Sequence, residues 1–308
     1  MKVKGILTVA LTALVVGSAA PASAAGPAVQ YVEASTLSDS SSPKMARAQC
    51  PAGKAVLGGA ANVSGAEGQV AIQAAFPEFD PGLGKFVYVV KAVEDPDGTA
   101  KSWRLTAGAY CTDATVPEYP VPGSSAFNSN DVKQASVSCP EGKKVVGMGG
   151  LVTTADLDDP AATVGDVPPA TVVFEGFEVN DDLTEVTAYA SELNAGLGGA
   201  FFGSWKVMAV VSCAYEHAVA GLELRDTTRP LGIKEHPDSS MWGIACSPGK
   251  RNIAAGARIK DFEMGNWYLD RFSRQNALQT MIYSESFRNP ESGSHTSFEH
   301  TVQTICVG

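Results

Sequence analysis

The chain is poor in charge, has no long apolar run beyond its N-terminus, and lacks the short motifs on which hydrolytic or metal chemistry is usually built. Only 18% of its 308 residues are charged, and there are four histidines. No Gly-x-Ser-x-Gly occurs, which excludes the exposed serine of an α/β-hydrolase elbow. No His-Glu-x-x-His and no Cys-x-x-Cys occur, which removes the local ligand spacing of metalloproteases and zinc ribbons. Basic residues are outnumbered 23 to 33 by acidic ones, and a formal charge of −10 repels phosphate backbones. Nucleic acid is therefore not an expected partner, and no cofactor or metal is expected.

The one apolar run, Ile6 to Val16, follows Lys2 and Lys4 and precedes Ala22-Ser23-Ala24. Basic, apolar and small-residue zones in that order read as a secretory signal over residues 1–24. The run is too short to cross a ~30 Å hydrocarbon core as a helix, so no membrane segment is expected to be retained. The expected location is extracellular. Loss of two lysines would take the formal charge to about −12.

What the chain does have is a motif written three times. Cys50-Pro51-Ala52-Gly53-Lys54, Cys139-Pro140-Glu141-Gly142-Lys143 and Cys246-Ser247-Pro248-Gly249-Lys250 each follow a stretch of period-two alternation, such as Ala46, Ala48 and Cys50. That alternation marks a half-buried strand, and the Pro and Gly mark a turn. A second strand resumes at Lys54, Lys143 and Arg251. Each copy closes with another: Trp103 to Cys111, Trp205 to Cys213 and Phe298 to Cys306. Stepping back by twos from the last cysteine gives one mostly apolar face ending in an aromatic, the register expected of internal duplication.

Six cysteines in three copies leave no spare thiol. In an oxidising compartment they read as three bridges, Cys50–Cys111, Cys139–Cys213 and Cys246–Cys306, each worth roughly 4 kcal/mol in the chain-entropy picture. The expected organisation is a signal at 1–24, an extension at 25–43, repeats at 44–113, 131–215 and 239–308, and connections at 114–130 and 216–238. One all-β domain of pseudo-three-fold symmetry, with one disulfide per repeat, is favoured over three beads on a string.

At the cysteine turn the chain resembles the vitelline membrane outer layer protein family, whose repeats carry Cys-Pro-x-Gly before an apolar strand ending in Gly. The matching residues are Cys50-Pro51-Ala52-Gly53 with Gly58 and Cys139-Pro140-Glu141-Gly142 with Gly147; in the third copy the proline is displaced to Pro248. The chain also looks like uncharacterised exported proteins of high-GC Gram-positive bacteria. The first resemblance implies a β-prism-like fold of three sheets and raises the prospect of glycan binding.

Candidate chemistry is sparse. Asp156, Asp158 and Asp159 form an acidic cluster without the glycine and terminal glutamate of an EF-hand, so a solvated loop is expected. Glu94-Asp95-Pro96-Asp97-Gly98 reads as a turn, and Asn62-Val63-Ser64 is a formal glycosylation sequon. His300 replaces an apolar residue of the closing strand and is expected to be partly buried and satisfied by hydrogen bonds.

The third repeat is richer in aromatics and carries seven basic and six acidic residues, against four and twelve over Asp131 to Tyr215. Within it Trp267, Tyr268, Asp270 and Arg271 combine rings, a carboxylate and a guanidinium, the mix that sugars require; an ordinary strand explains the same alternation. Three functions follow in order: a non-catalytic binder of glycan or cell-envelope polysaccharide, an extracellular structural or protein-interaction protein, and an extracellular hydrolase.

Overall fold

The computed structural model describes residues 28–113, 115–155, 171–192, 203–231, 239–261, 267–274, 281–288 and 298–308; within these, the side chains of 231, 239, 261, 268, 283, 287 and 288 are not described. The acidic cluster Asp156, Asp158 and Asp159 lies outside these residues. Among the described residues the regular structure is eighteen strands and a 3-10 turn at Glu216–Ala218.

The first six strands are β1 (Gln30–Ser35), β2 (Lys44–Ala48), β3 (Lys54–Ser64), β4 (Val70–Asp80), β5 (Lys85–Glu94) and β6 (Arg104–Asp113). The second six are β7 (Gly123–Ser124), β8 (Val132–Ser138), β9 (Lys143–Thr153), β10 (Val172–Val179), β11 (Glu185–Glu192) and β12 (Lys206–Tyr215). The last six are β13 (Glu223–Leu231), β14 (Ser239–Ala245), β15 (Arg251–Asp261), β16 (Trp267–Arg274), β17 (Met281–Arg288) and β18 (Phe298–Val307). The stretches read as extension and connections therefore each supply one strand, β1, β7 and β13. All three are edge strands, where Pro230 and the prolines flanking β7 cost no ladder hydrogen bond.

Three six-stranded sheets result, each built from two repeats. One has the order β1-β6-β3-β16-β17-β14 and joins repeats three and one (wall 3/1). A second, β2-β5-β4-β9-β12-β7, joins repeats one and two (wall 1/2). The third, β13-β18-β15-β10-β11-β8, joins repeats two and three (wall 2/3). Each junction is thin: Asn62 and Ala61 face Arg271 and Phe272, Ala74 and Ala75 face Leu151 and Gly150, and Gly176 faces Arg258.

One hydrophobic core draws on all three repeats, with Trp103, Trp205, Phe298, Phe174, Phe177 and Phe272 fully or almost fully buried. At its centre β3, β9 and β15 meet; a Cβ on Gly147 would stand 1.7 Å from the Leu57 carbonyl oxygen, and the approach of these strands requires its absence. The three disulfides close within their repeats as expected, over 61, 74 and 60 residues. The turns beside them hold too: Gly53, Gly142 and Gly249 take φ of 73°, 77° and 88°, and the following N–H bonds back to Pro51, Pro140 and Ser247.

The repeats differ in one core layer. In repeat one, Glu94 accepts the Trp103 indole N–H at 2.8 Å, while Lys44 lies 4.4 Å from the ring centre and caps the carbonyls of Leu37, Asp39 and Trp103. Repeat two repeats this with Glu192, Trp205 and Lys133, and burial pushes the Lys133 amine down to about 8 against the pull of Glu192. Repeat three puts Ser240 at the lysine position and Phe298 at the tryptophan. There His300, fully buried, bonds Ser240 through Nδ1 at 3.1 Å and Ser284 through Nε2 at 2.8 Å. Burial pushes its imidazole down to about 4. The histidine is satisfied as expected, and more deeply buried.

Candidate functional site

The four candidate residues of the third repeat are parted by a β-bulge in β16. Leu269 pairs with Ser286 and Arg271 with Glu285, so Asp270 is the extra residue and the inside–outside parity reverses at that point. Trp267 and Leu269 face the core before the bulge, and Phe272 faces it after. Trp267 is only 2% exposed and lies against Phe298, ring centres 3.9 Å apart, so its ring is not presented to a ligand. The Tyr268 backbone belongs to the strand, and its side chain lies outside the description. Asp270 is buried in the bulge. Of the three whose side chains are described, Arg271 lines an open outer face.

The bulge recurs at the matching position of β4 and β10, where Gln73 and Glu175 are the extra residues. All three are buried and polar. Gln73 donates to the Val172 carbonyl of the next repeat at 2.7 Å. Asp270 faces Gly68 of repeat one, whose N–H gives it only a weak partial bond; neither carboxylate oxygen has a full partner. Burial therefore pushes the Asp270 carboxyl well above the usual carboxylate range, with Glu285 and Glu67 adding to the rise and Arg271 opposing it.

Arg271 opens onto a cleft of about 420 Å³ on the outer face of wall 3/1. From repeat one come Tyr31, Glu33 and Ser35 of β1, Asn62 of β3, and Thr106 and Gly108 of β6. Repeat three adds Arg271, Ser273 and Arg274 of β16, with Met241 at the rim. Neither repeat holds the site alone. Arg271 is anchored at two points: its Nε donates to Asn62 Oδ1 and its guanidinium pairs with Glu285 at 3.2 Å. Ser35 and Thr106 hydroxyls bond each other at 2.8 Å. Arg274 lies 4.0 Å over the Tyr31 ring, with Glu33 at 3.9 Å. Tyr31 packs on Tyr110 at 4.8 Å, and burial with that neighbour raises its phenol above the ordinary value.

Gly108 is what leaves the cleft open. A Cβ there would stand 2.0 Å from the Tyr31 hydroxyl. Counting back from the disulfide cysteine, the same position is Gln303 in wall 2/3 and Val210 in wall 1/2. Gln303 exchanges two hydrogen bonds with the Val179 backbone, at 2.8 and 3.1 Å. Beside it Arg258 stacks on Tyr189 at 3.5 Å and pairs with Glu178 at 2.8 Å, so that outer face is filled by its own side chains. Wall 1/2 instead forms a second apolar cluster of Ala74, Phe76, Val87, Val89, Leu151, Met208 and Val210. Over it lies a groove of about 290 Å³ flanked by exposed Phe79 and Val121.

Sequence reasoning missed Tyr31, Asn62 as a site residue, Gly108 and Arg274, because the cleft joins strands some 200 residues apart in the chain. Among the described residues, no three His, Cys, Asp or Glu side chains group as a metal site, and no helix is long and apolar enough to cross a membrane. No protein-family model matches the chain, and no curated protein is significantly similar to it in sequence.

Proposed function

We propose that this is a secreted, non-catalytic protein that binds glycan or cell-envelope polysaccharide in the wall 3/1 cleft. The observation that carries the reading is the lining: an amide, hydroxyls, guanidinia and a tyrosine converge on one concave surface of a rigid β frame. Sugars are held by planar polar groups of this kind. The signal-like N-terminus and three disulfides support export, and the Cys-Pro-x-Gly turns shared with the vitelline membrane outer layer proteins support the same function class. Support for a binding role over turnover comes from the Ser240–His300–Ser284 cluster, whose imidazole is fully buried in the core.

The test is binding of the oxidised chain, residues 25–308, to soluble glycans and insoluble wall polysaccharides. Saturable binding that soluble sugar competes away, and that Asn62→Ala weakens, supports the reading. Absence of binding across the panel overturns it. A protein-interaction role is the second reading, favoured by the apolar groove of wall 1/2; binding to a protein partner that soluble sugar leaves untouched would move the weight there. Turnover of a polysaccharide that a single carboxylate substitution abolishes would establish a hydrolase instead.

A further inference from the structure

We infer that the wall 3/1 cleft selects an acidic saccharide, with Arg274 receiving its carboxylate; this rests on the glycan-binding reading above. The cleft contains two guanidinium groups in different states. Arg271 is anchored by the Asn62 amide oxygen and by Glu285. Arg258, which stands in the place of Asn62 in wall 2/3, is likewise anchored, by Glu178 at 2.8 Å and over Tyr189. Arg274 is not. Among the described residues its one ionic contact is with Glu33 at 3.9 Å, longer than a hydrogen bond, and it makes no hydrogen bond.

The Tyr31 ring nonetheless fixes Arg274, with the guanidinium carbon 4.0 Å from the ring centre. Its side chain is 26% exposed, so its free N–H groups face the cleft. A fixed guanidinium with unfilled donors is pre-organised for bidentate bonding to a carboxylate, at little cost in rotamer entropy. The neighbouring amide of Asn62 and hydroxyls of Ser273, Ser35 and Thr106 supply the contacts that a sugar ring bearing the acid would take. Glu33, half exposed and interacting with both the Tyr31 hydroxyl and Arg274, would compete with a ligand carboxylate for the guanidinium.

The experiment compares three probes at matched ionic strength: a uronic-acid oligosaccharide, its neutral homologue of equal length, and acetate. The expected order is acidic oligosaccharide bound about tenfold or more tightly than the neutral one, with acetate too weak to compete at equal concentration. Arg274→Gln should abolish the preference, bringing the affinity for the acidic oligosaccharide down to that for the neutral one in the same variant, with the three disulfides and the far-ultraviolet spectrum retained. Glu33→Gln should strengthen acidic-glycan binding several-fold by removing the competitor. Equal affinity for acidic and neutral oligosaccharides overturns the inference and leaves the glycan reading standing. Acetate competing as well as the oligosaccharide would reassign the site to a free carboxylate and overturn it as well. No binding of either oligosaccharide overturns both.

Discussion

Walls 3/1 and 2/3 have the same strand order, the same bulge and the same junction between repeats, yet one is open and the other closed. The difference lies in a few outward side chains. Gly108 leaves a void where Gln303 reaches the Val179 backbone, and Asn62 accepts from Arg271 where Arg258 covers Tyr189. Even the hydroxyl pair on the adjacent strands is kept: Ser35–Thr106 in one wall and Thr228–Thr301 in the other. The frame is therefore shared, and whether a cleft is left open is decided by what fills the outer face.

That comparison is most directly broken by exchanging its key residues. Gly108→Gln should displace Tyr31 and fill the cleft, abolishing glycan binding while the far-ultraviolet spectrum and the three disulfides persist; retained binding would place the site elsewhere. Gln303→Gly removes two buried hydrogen bonds and adds backbone freedom to a strand. A loss of about 3 kcal/mol in urea-unfolding stability is expected, with no effect on the wall 3/1 site.

The layers beneath the walls give a pH signature. The His300 pKa is depressed to about 4 from an ordinary value near 6.5, so its stabilisation is complete above about pH 6.5 and is lost as pH falls towards 4. Its size is about 3 kcal/mol. The Asp270 carboxyl is shifted the other way, so its contribution is present at low pH and is lost as pH rises above the ordinary carboxyl value. Asp270→Asn, which supplies the kind of amide that Gln73 has in repeat one, should gain stability over the parent as pH rises towards neutrality. Denaturation midpoints at pH 4.5 and 7 would show this as a steeper rise in the variant.

A smaller effect separates the repeats. Trp205→Phe copies the Phe298 of repeat three but leaves Glu192 without its indole donor, and should cost about 2 kcal/mol. Equal stability of variant and parent would mean that the Lys–Trp–Glu layer is interchangeable with the Ser–His–Phe layer.

Much of the fold was legible in the sequence, and little of the site. The disulfide pairing, the turns at Gly53, Gly142 and Gly249 and the closing strands are local or repeat-encoded, and each copy reinforced the others. The composite walls were not, since each rests on one or two residue pairs between distant strands, such as Asn62 with Arg271. The bulge at Asp270 reverses parity with no local marker, so that Trp267 before it faces the core and Arg271 after it lines the open face. Aligning the copies by their cysteines does single out Gly108 against Val210 and Gln303, a signal in hindsight. Its meaning depends on Tyr31, which lies on a strand that the repeat pattern does not include.

Because every wall is half one repeat and half its neighbour, a lone repeat has two unfinished half-walls, ending at the edges that β3 and β4 present in repeat one. Three identical copies closing in a ring would complete one another, giving a trimer with three equal faces. Fusion of such a trimer into one chain would have freed each face to diverge, and the present molecule has one polar and open, one apolar and one self-filled. Three unlike faces on one three-fold frame are the asymmetry that covalent linkage permits and a homotrimer forbids.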